Sequence, residues 1–205
     1  ESCLNPDQRQ HKILLYLIPW YGNTNKLLVM NVTYYELKIM YKQKLLIMRH
    51  AKSDWSDENQ SDFDRPLATR GVKAAELMGK WLKKNQYIPD RVICSPALRT
   101  KQTCQLILNI LAVAEHEVFW EKSIYQASLD DLLSIIEQHS SNTHTLLIIG
   151  HNPGLDQAVR YLSKEPPSIN ASGKLMTTAA VAILDYGSKS ISTRCQQAHL
   201  EKLIR

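Results

Sequence analysis

The chain has 205 residues, 44% of them hydrophobic and 22% charged. Those proportions suit one globular domain with a sizeable core and exclude a disordered or fibrous chain. The formal net charge of +5 fits a protein that handles anions, but the basic residues are scattered and match no nucleic-acid-binding signature, so no nucleic-acid partner is expected.

Residues 1–40 read as an extension of uncertain structure and role. Within it, Ile13 to Ile18 follows Lys12 and imitates the core of a signal peptide, but it is short and leads into Pro19-Trp20-Tyr21 rather than small residues. Leu27 to Val32 fits a helix or a strand equally. A compact domain is expected from about Met40, over residues 41–187. Its first strand is Lys44 to Met48, and an acid- and serine-rich loop, Asp54 to Asp64, should be exposed and mobile. Thr69 suits the cap of a helix from about Gly71 to Asn85, with Ala75, Met78 and Leu82 on one face. Arg91 to Cys94 reads as a strand, Leu98 to Leu111 as a helix and Glu117 to Trp120 as a strand. Ser128 or Asp130 caps a helix carrying Leu132, Leu133 and Ile136. Thr145 to Ile149 is continuously apolar, the mark of a strand buried on both faces. A helix over Leu155 to Leu162 and a strand over Thr178 to Leu184 follow, and residues 188–205 read as a polar tail. No apolar run can span a bilayer, so no membrane partner is expected.

Strands alternating with helices predict an α/β fold with a mostly parallel sheet covered on both faces. The four cysteines, Cys3, Cys94, Cys104 and Cys195, form no Cys-x-x-Cys pair, which argues against a zinc knuckle or redox motif and suits reduced thiols in the cytoplasm.

Leu45-Leu46-Ile47-Met48-Arg49-His50 carries the chemistry: an apolar run that empties into an arginine and a histidine. The carboxyl edge of a parallel sheet is where such folds build sites. His50 suits a nucleophile and Arg49 a fork-shaped phosphate clamp. Ser95-Pro96-Ala97-Leu98-Arg99-Thr100 follows a second apolar run, and Gly150-His151-Asn152-Pro153-Gly154 a third. Asp64-Arg65-Pro66-Leu67-Ala68-Thr69-Arg70-Gly71 leads into a helix. Strand ends that deliver cationic or potentially cationic groups suit an oxyanion such as phosphate. Arginines repel cations and cannot ligate them, so metal binding at His50 and His151 is not expected.

In this set of motifs the chain resembles the histidine phosphatase superfamily, whose signature is the Arg-His pair on the first strand, and within it the small bacterial phosphohistidine phosphatase branch. The resemblance runs from about Lys44 to Leu184 through Arg49-His50, Arg65 to Gly71, Ser95 to Thr103 and Gly150 to Pro153. It implies a phosphoglycerate mutase-like three-layer sandwich, a central mostly parallel sheet with at least one antiparallel edge strand and helices on both faces. It makes His50 the catalytic nucleophile, Arg49 and Arg99 the phosphate clamps, and His151 a second pocket histidine that stabilises transferring charge, as an imidazolium if protonated. It lets Ser53 donate a hydrogen bond to phosphate. Asn152 is a further candidate donor, and Lys52 could add charge. Ala51 stands where many relatives carry glycine.

No metal or organic cofactor is implied. The larger branches use a carboxylate to protonate an alkoxide leaving group, and Glu121 stands at roughly the matching place, with Asp54, Asp57, Asp62 and Asp64 as alternatives. Phosphohistidine needs such an acid less, because imidazole leaves more easily. The reading is a monomeric phosphatase acting through a covalent phosphohistidine at His50, preferably on protein phosphohistidine. The short stretch between Arg99 and His151 leaves little room for a capping insertion. Alternatives are a phosphatase of small phosphate monoesters with Glu121 as acid, a catalytically idle phosphoprotein-binding module, and, less favoured, a phosphomutase.

Overall fold

A computed structural model describes residues 11–18, 26–33, 42–114, 118–171 and 173–205. The chain divides into two compact units, Glu1–Lys42 and Gln43–Arg205. In the first, β1 (His11–Ile18) pairs antiparallel with β2 (Lys26–Thr33), Ile18 opposite Lys26 and His11 opposite Thr33. The ambiguous run Leu27 to Val32 is thus strand.

The second unit is built on a six-stranded sheet. Its strands are β3 (Gln43–Arg49), β4 (Arg91–Cys94), β5 (Val118–Trp120), β6 (Thr145–Gly150), β7 (Val181–Gly187) and β8 (His199–Ile204), in the order β5-β4-β6-β3-β7-β8. The first four in that order are parallel; β7 runs antiparallel to β3, and β8 antiparallel to β7. Among the described residues four helices complete the unit: α1 (Thr69–Lys84), α2 (Leu98–Leu111), α3 (Leu129–His139) and α4 (Gly154–Leu162).

Continuous apolar runs place every second side chain on the opposite face of the sheet. Leu45 and Ile47 of β3, with Ile93, Leu146 and Ile148, meet Leu132, Ile135 and Ile136 of α3 and Leu155, Val159 and Leu162 of α4. Leu46 and Met48, with Val92, Leu147 and Ile149, meet Ala75, Met78 and Leu82 of α1 and Cys104, Ile107 and Leu108 of α2. The result is a three-layer sandwich in which Leu45, Leu46, Leu146 and Leu147 are fully buried.

Several element boundaries differ from the sequence reading. Thr69 is the first residue of α1, not its cap; Ala68 holds the cap position without a side-chain bond. Tertiary contact does the work instead: Ala68 N–H donates to the Lys52 carbonyl at 2.9 Å. A Cβ at Gly71 would sit 2.1 Å from that carbonyl oxygen, which is why glycine stands at the first turn of α1. Ser128, not Asp130, caps α3 in a reciprocal box with Asp131. Thr178 and Ala179 form a turn before β7 rather than its first residues, with Ala179 at φ 65° and its N–H on the His50 carbonyl at 3.1 Å. The supposed tail ends in β8, tied back by Glu201, whose carboxylate accepts from Lys44 and from the Tyr87 hydroxyl. Glu117 lies outside the described residues. Among the described residues no helix is long and apolar enough to cross a membrane.

Candidate active site

Parallel strands bring their carboxyl ends to one edge of the sheet. Arg49 pairs with Gly150 at the ends of β3 and β6, and Cys94 with Ile149 at the ends of β4 and β6. His50, Ser95 and His151, each just beyond its strand, therefore meet. The two imidazole centroids are 5.0 Å apart. His50 is fixed by its backbone, which donates to the Gly150 carbonyl at 3.1 Å and accepts from Ala179.

His50 Nδ1 lies 2.7 Å from its neighbour's carbonyl, Ala51 O, and so carries the proton. Nε2 is left with its lone pair, and Arg99 Nε donates toward it at 3.4 Å. Burial, offset in part by that backbone bond and reinforced by Arg99 and Arg49, pulls the ring down to about 4. The Ala51 amide donates to Thr103 Oγ1 at 3.1 Å, which fixes the residue that holds the ring.

His151 accepts at Nδ1 from Arg99 Nη2 at 3.3 Å, so its Nε2 donates to Ser95 Oγ at 2.9 Å. Burial, then His50, then Arg99 hold it down to about 3. An accepting Nδ1 and a donating Nε2 are the pattern of a neutral ring; the imidazolium considered from sequence would place a second proton beside the buried Arg99 guanidinium and near Arg49.

Arg99, in the first turn of α2, is nearly covered, its side chain 8% exposed. Its Nη2 donates to Asp62 Oδ2 at 2.9 Å and its Nη1 to the Asp62 carbonyl. Asp62 Oδ2 also accepts from the Tyr125 hydroxyl at 2.8 Å. Desolvation pushes Asp62 up, but Tyr125 and Arg99 outweigh it and leave the carboxyl below its ordinary range. Tyr125 packs edge-on against His151, 5.4 Å between centroids, and against Phe63.

Arg49 donates from Nη1 to the Met176 carbonyl at 2.9 Å, while its buried Nε has no hydrogen-bond partner among the described residues. Burial pulls its pKa below the ordinary value, against the pull of Asp156. Asn152 commits its side-chain amide to Asp156 Oδ1 at 2.8 Å and to Met176 O at 3.1 Å, so it braces the carbonyl that holds Arg49. Ser53 is buried in a bridge to Leu67, and its Oγ accepts from Trp55 Nε1 at 3.1 Å.

Glu121 is not drawn into this cluster. Its carboxylate caps the short turn Lys122–Ile124, accepting from the Ser123 hydroxyl at 2.6 Å and amide at 3.2 Å. Those bonds hold it below the usual carboxylate range, ionised and exposed.

Sequence reasoning brought Arg49, His50, Arg99 and His151 together but gave Asp62 no preference over the other loop acids, and it missed Tyr125. Ser95, Gln102 and Thr103 stood inside the quoted motif without a role. The structure supplies one: Ser95 orients His151, Gln102 Oε1 accepts from Leu67 N at 2.7 Å, and Thr103 joins Ala51 to the Arg99 carbonyl.

Known proteins are similar to this chain in sequence and in fold. The family model of the histidine phosphatase superfamily (branch 1) matches residues 45–123. An uncharacterized protein of Mycobacterium leprae is 30% identical over 159 residues, 75% of this chain and 96% of its own length. The phosphohistidine phosphatase SixA of Escherichia coli is 39% identical over 75 residues, 35% of this chain and 45% of that one. A solved SixA structure from Nakamurella multipartitia superposes with a TM-score of 0.66 at 25% identity, covering 80% of this chain and 96% of the other. The three-layer sandwich is phosphoglycerate mutase-like.

Proposed function

Since this chain belongs to the histidine phosphatase superfamily, we propose that it is a phosphatase that cleaves protein phosphohistidine through a covalent intermediate on His50. The observation that carries the reading is the state of His50: Nδ1 tied to Ala51 O at 2.7 Å and Nε2 unprotonated beside Arg99. A neutral imidazole attacks phosphorus without first losing a proton.

In the first step the His50 Nε2 lone pair forms a bond to phosphorus as the bond to the substrate's imidazole nitrogen breaks. That imidazole takes its proton from solvent. Charge on the equatorial oxygens is met by Arg49 and Arg99, with the Ser53 hydroxyl as a further donor. His151 and Asn152 are positioning residues for Arg99 and Arg49. In the second step water attacks the phosphohistidine, the phosphorus–Nε2 bond breaks, and inorganic phosphate leaves. The catalytic unit is Gln43–Arg205, acting as a monomer in the cytoplasm, where Cys94 and Cys104 stay reduced.

The placement of Glu121 supports an imidazole over an alkoxide leaving group. An ionised, exposed carboxylate already occupied by Ser123 is a poor proton donor. Cleavage of small esters with Glu121 as acid is therefore the weaker reading.

Rapid-quench assays with a phosphohistidine protein and, separately, an aryl phosphate test the proposal, with His50→Ala as control. Acid-labile phosphate on the enzyme and turnover of the phosphohistidine protein, both lost in His50→Ala, are expected. Turnover of aryl phosphate alone, impaired by Glu121→Gln, would overturn the substrate assignment. A folded protein that binds phosphate without labelling or turnover would be a binding module.

A further inference from the structure

Beside the His50 pocket lies a cleft of about 400 Å³ lined by Arg49, Lys52, Arg70, Ala74, Lys174, Thr177 and Thr178. Four of these seven residues are cations and none is a carboxylate. Among the described residues, no carboxylate forms an ion pair with Lys52, Arg70 or Lys174. Arg49 feels Asp156, whose Oδ1 is already bound by Asn152 and by the Met176 amide.

The backbone that carries these cations is held in place. Lys52 O receives Ala68 N–H, and Gly71 packs directly on that same carbonyl, so Lys52 and Arg70 cannot drift apart without unseating α1. Ala74 lies one helical turn beyond Arg70, on the same face, and its small side chain leaves the space open. The backbone of Lys174 is pinned in turn by Asn170, whose Oδ1 accepts its N–H at 2.8 Å. Like charges gathered around one open space repel, and an anion between them turns that repulsion into attraction. The two threonines offer hydroxyl donors that suit an oxyanion. Arg49 borders both this cleft and the His50 pocket, so the two spaces are contiguous through one guanidinium.

We propose that this cleft is a second anion subsite, which takes a carboxylate or phosphate carried by the substrate near its scissile phosphoryl group. The inference deepens the phosphatase reading, on which it rests, by naming a feature of the substrate. The shared chemistry is an oxyanion, supplied either by an acidic side chain of a protein substrate or by a second anionic group of a small one.

Equilibrium binding of non-hydrolysable probes to the full chain tests it without any turnover. Titration calorimetry would compare methylphosphonate with phosphonoacetate and carboxyethylphosphonate, and with a short acidic peptide bearing a phosphonate. A preference of about tenfold or more for a probe with the second anion is expected, from two or more charge-assisted contacts. Arg70→Gln/Lys174→Gln should bring that preference close to one, and raised salt should weaken it. A thermal melt checks that the variant folds, and Arg70→Lys should keep most of the preference. Preference for the acidic peptide alone assigns the anion to a protein surface; preference for the small carboxyphosphonates alone assigns it to a small substrate. Equal affinity for all probes, or a preference untouched by the double variant, would overturn the subsite. Because no probe is cleaved, that result is separable from failure of the His50 reading, which would appear as loss of turnover with the binding preference intact.

Discussion

On the α2 side of the pocket, Arg99 directs its guanidinium to Asp62, His50 and His151. On the β7 side, Arg49 holds one carbonyl, keeps an unpartnered Nε among the described residues, and opens onto a cleft of further cations. The same side chain thus serves two purposes. A charge neutralised by a nearby carboxylate is held still and can position other groups. A charge with no carboxylate in ion-pair contact costs the fold stability and keeps more of its field for an incoming anion.

The contrast is broken most directly by deleting each arginine. Arg99→Ala should lower kcat/KM by about 10³-fold and also lower the melting temperature, because Asp62 and His151 lose their partner. Arg49→Ala should cost about 10²-fold in kcat/KM and leave the melting temperature unchanged or raised. Equal losses of thermal stability in the two variants would end the distinction. Asp62→Asn should cost about tenfold in kcat/KM, the worth of a charge-assisted hydrogen bond.

The pH profile sharpens the same comparison. Because His50 titrates at about 4 in the folded protein, the acid limb of kcat/KM should lie near there rather than at the ordinary histidine value. Asp62 raises His50, so Asp62→Asn should move that limb to lower pH. The sign for stability follows. The folded pKa values of His50 and His151 lie below the unfolded value of 6.5, so the unfolded chain takes up protons first as pH falls. Denaturant midpoints should therefore drop as pH goes from about 6.5 towards 4, and drop less in His151→Asn. The smallest effect is expected for Tyr125→Phe, about threefold in kcat/KM, since it removes one partner of Asp62 and leaves Arg99 in place.

The sheet and its reactive edge were legible because both rest on local pattern. Apolar runs ending in Arg49-His50, Cys94-Ser95 and Gly150-His151 locate the strands and the site together. The Asp62–Arg99 pair was hidden because it joins residues 37 apart in sequence through a loop whose other acids look alike. Thr69 misled as a cap because the entrance of α1 is anchored by Lys52 across the fold, a contact that local propensity does not contain. The strand His199–Ile204 was missed for a related reason: it lies half-exposed at the sheet edge and alternates only weakly.

That last strand matters for how molecules meet each other. At the opposite margin β5 has three residues among those described, with Arg91 over Phe119 and Lys101 over Trp120, so that stretch offers a second molecule little to pair with. At this margin β8 covers β7, whose sequence Val-Ala-Ile-Leu-Asp-Tyr-Gly is apolar over four successive residues. A chain cut after Gly187 would retain every residue of the His50 pocket and present that apolar strand with its backbone groups unpaired. Edge-to-edge aggregation would follow, and the half-polar strand β8 is best understood as a guard against self-association.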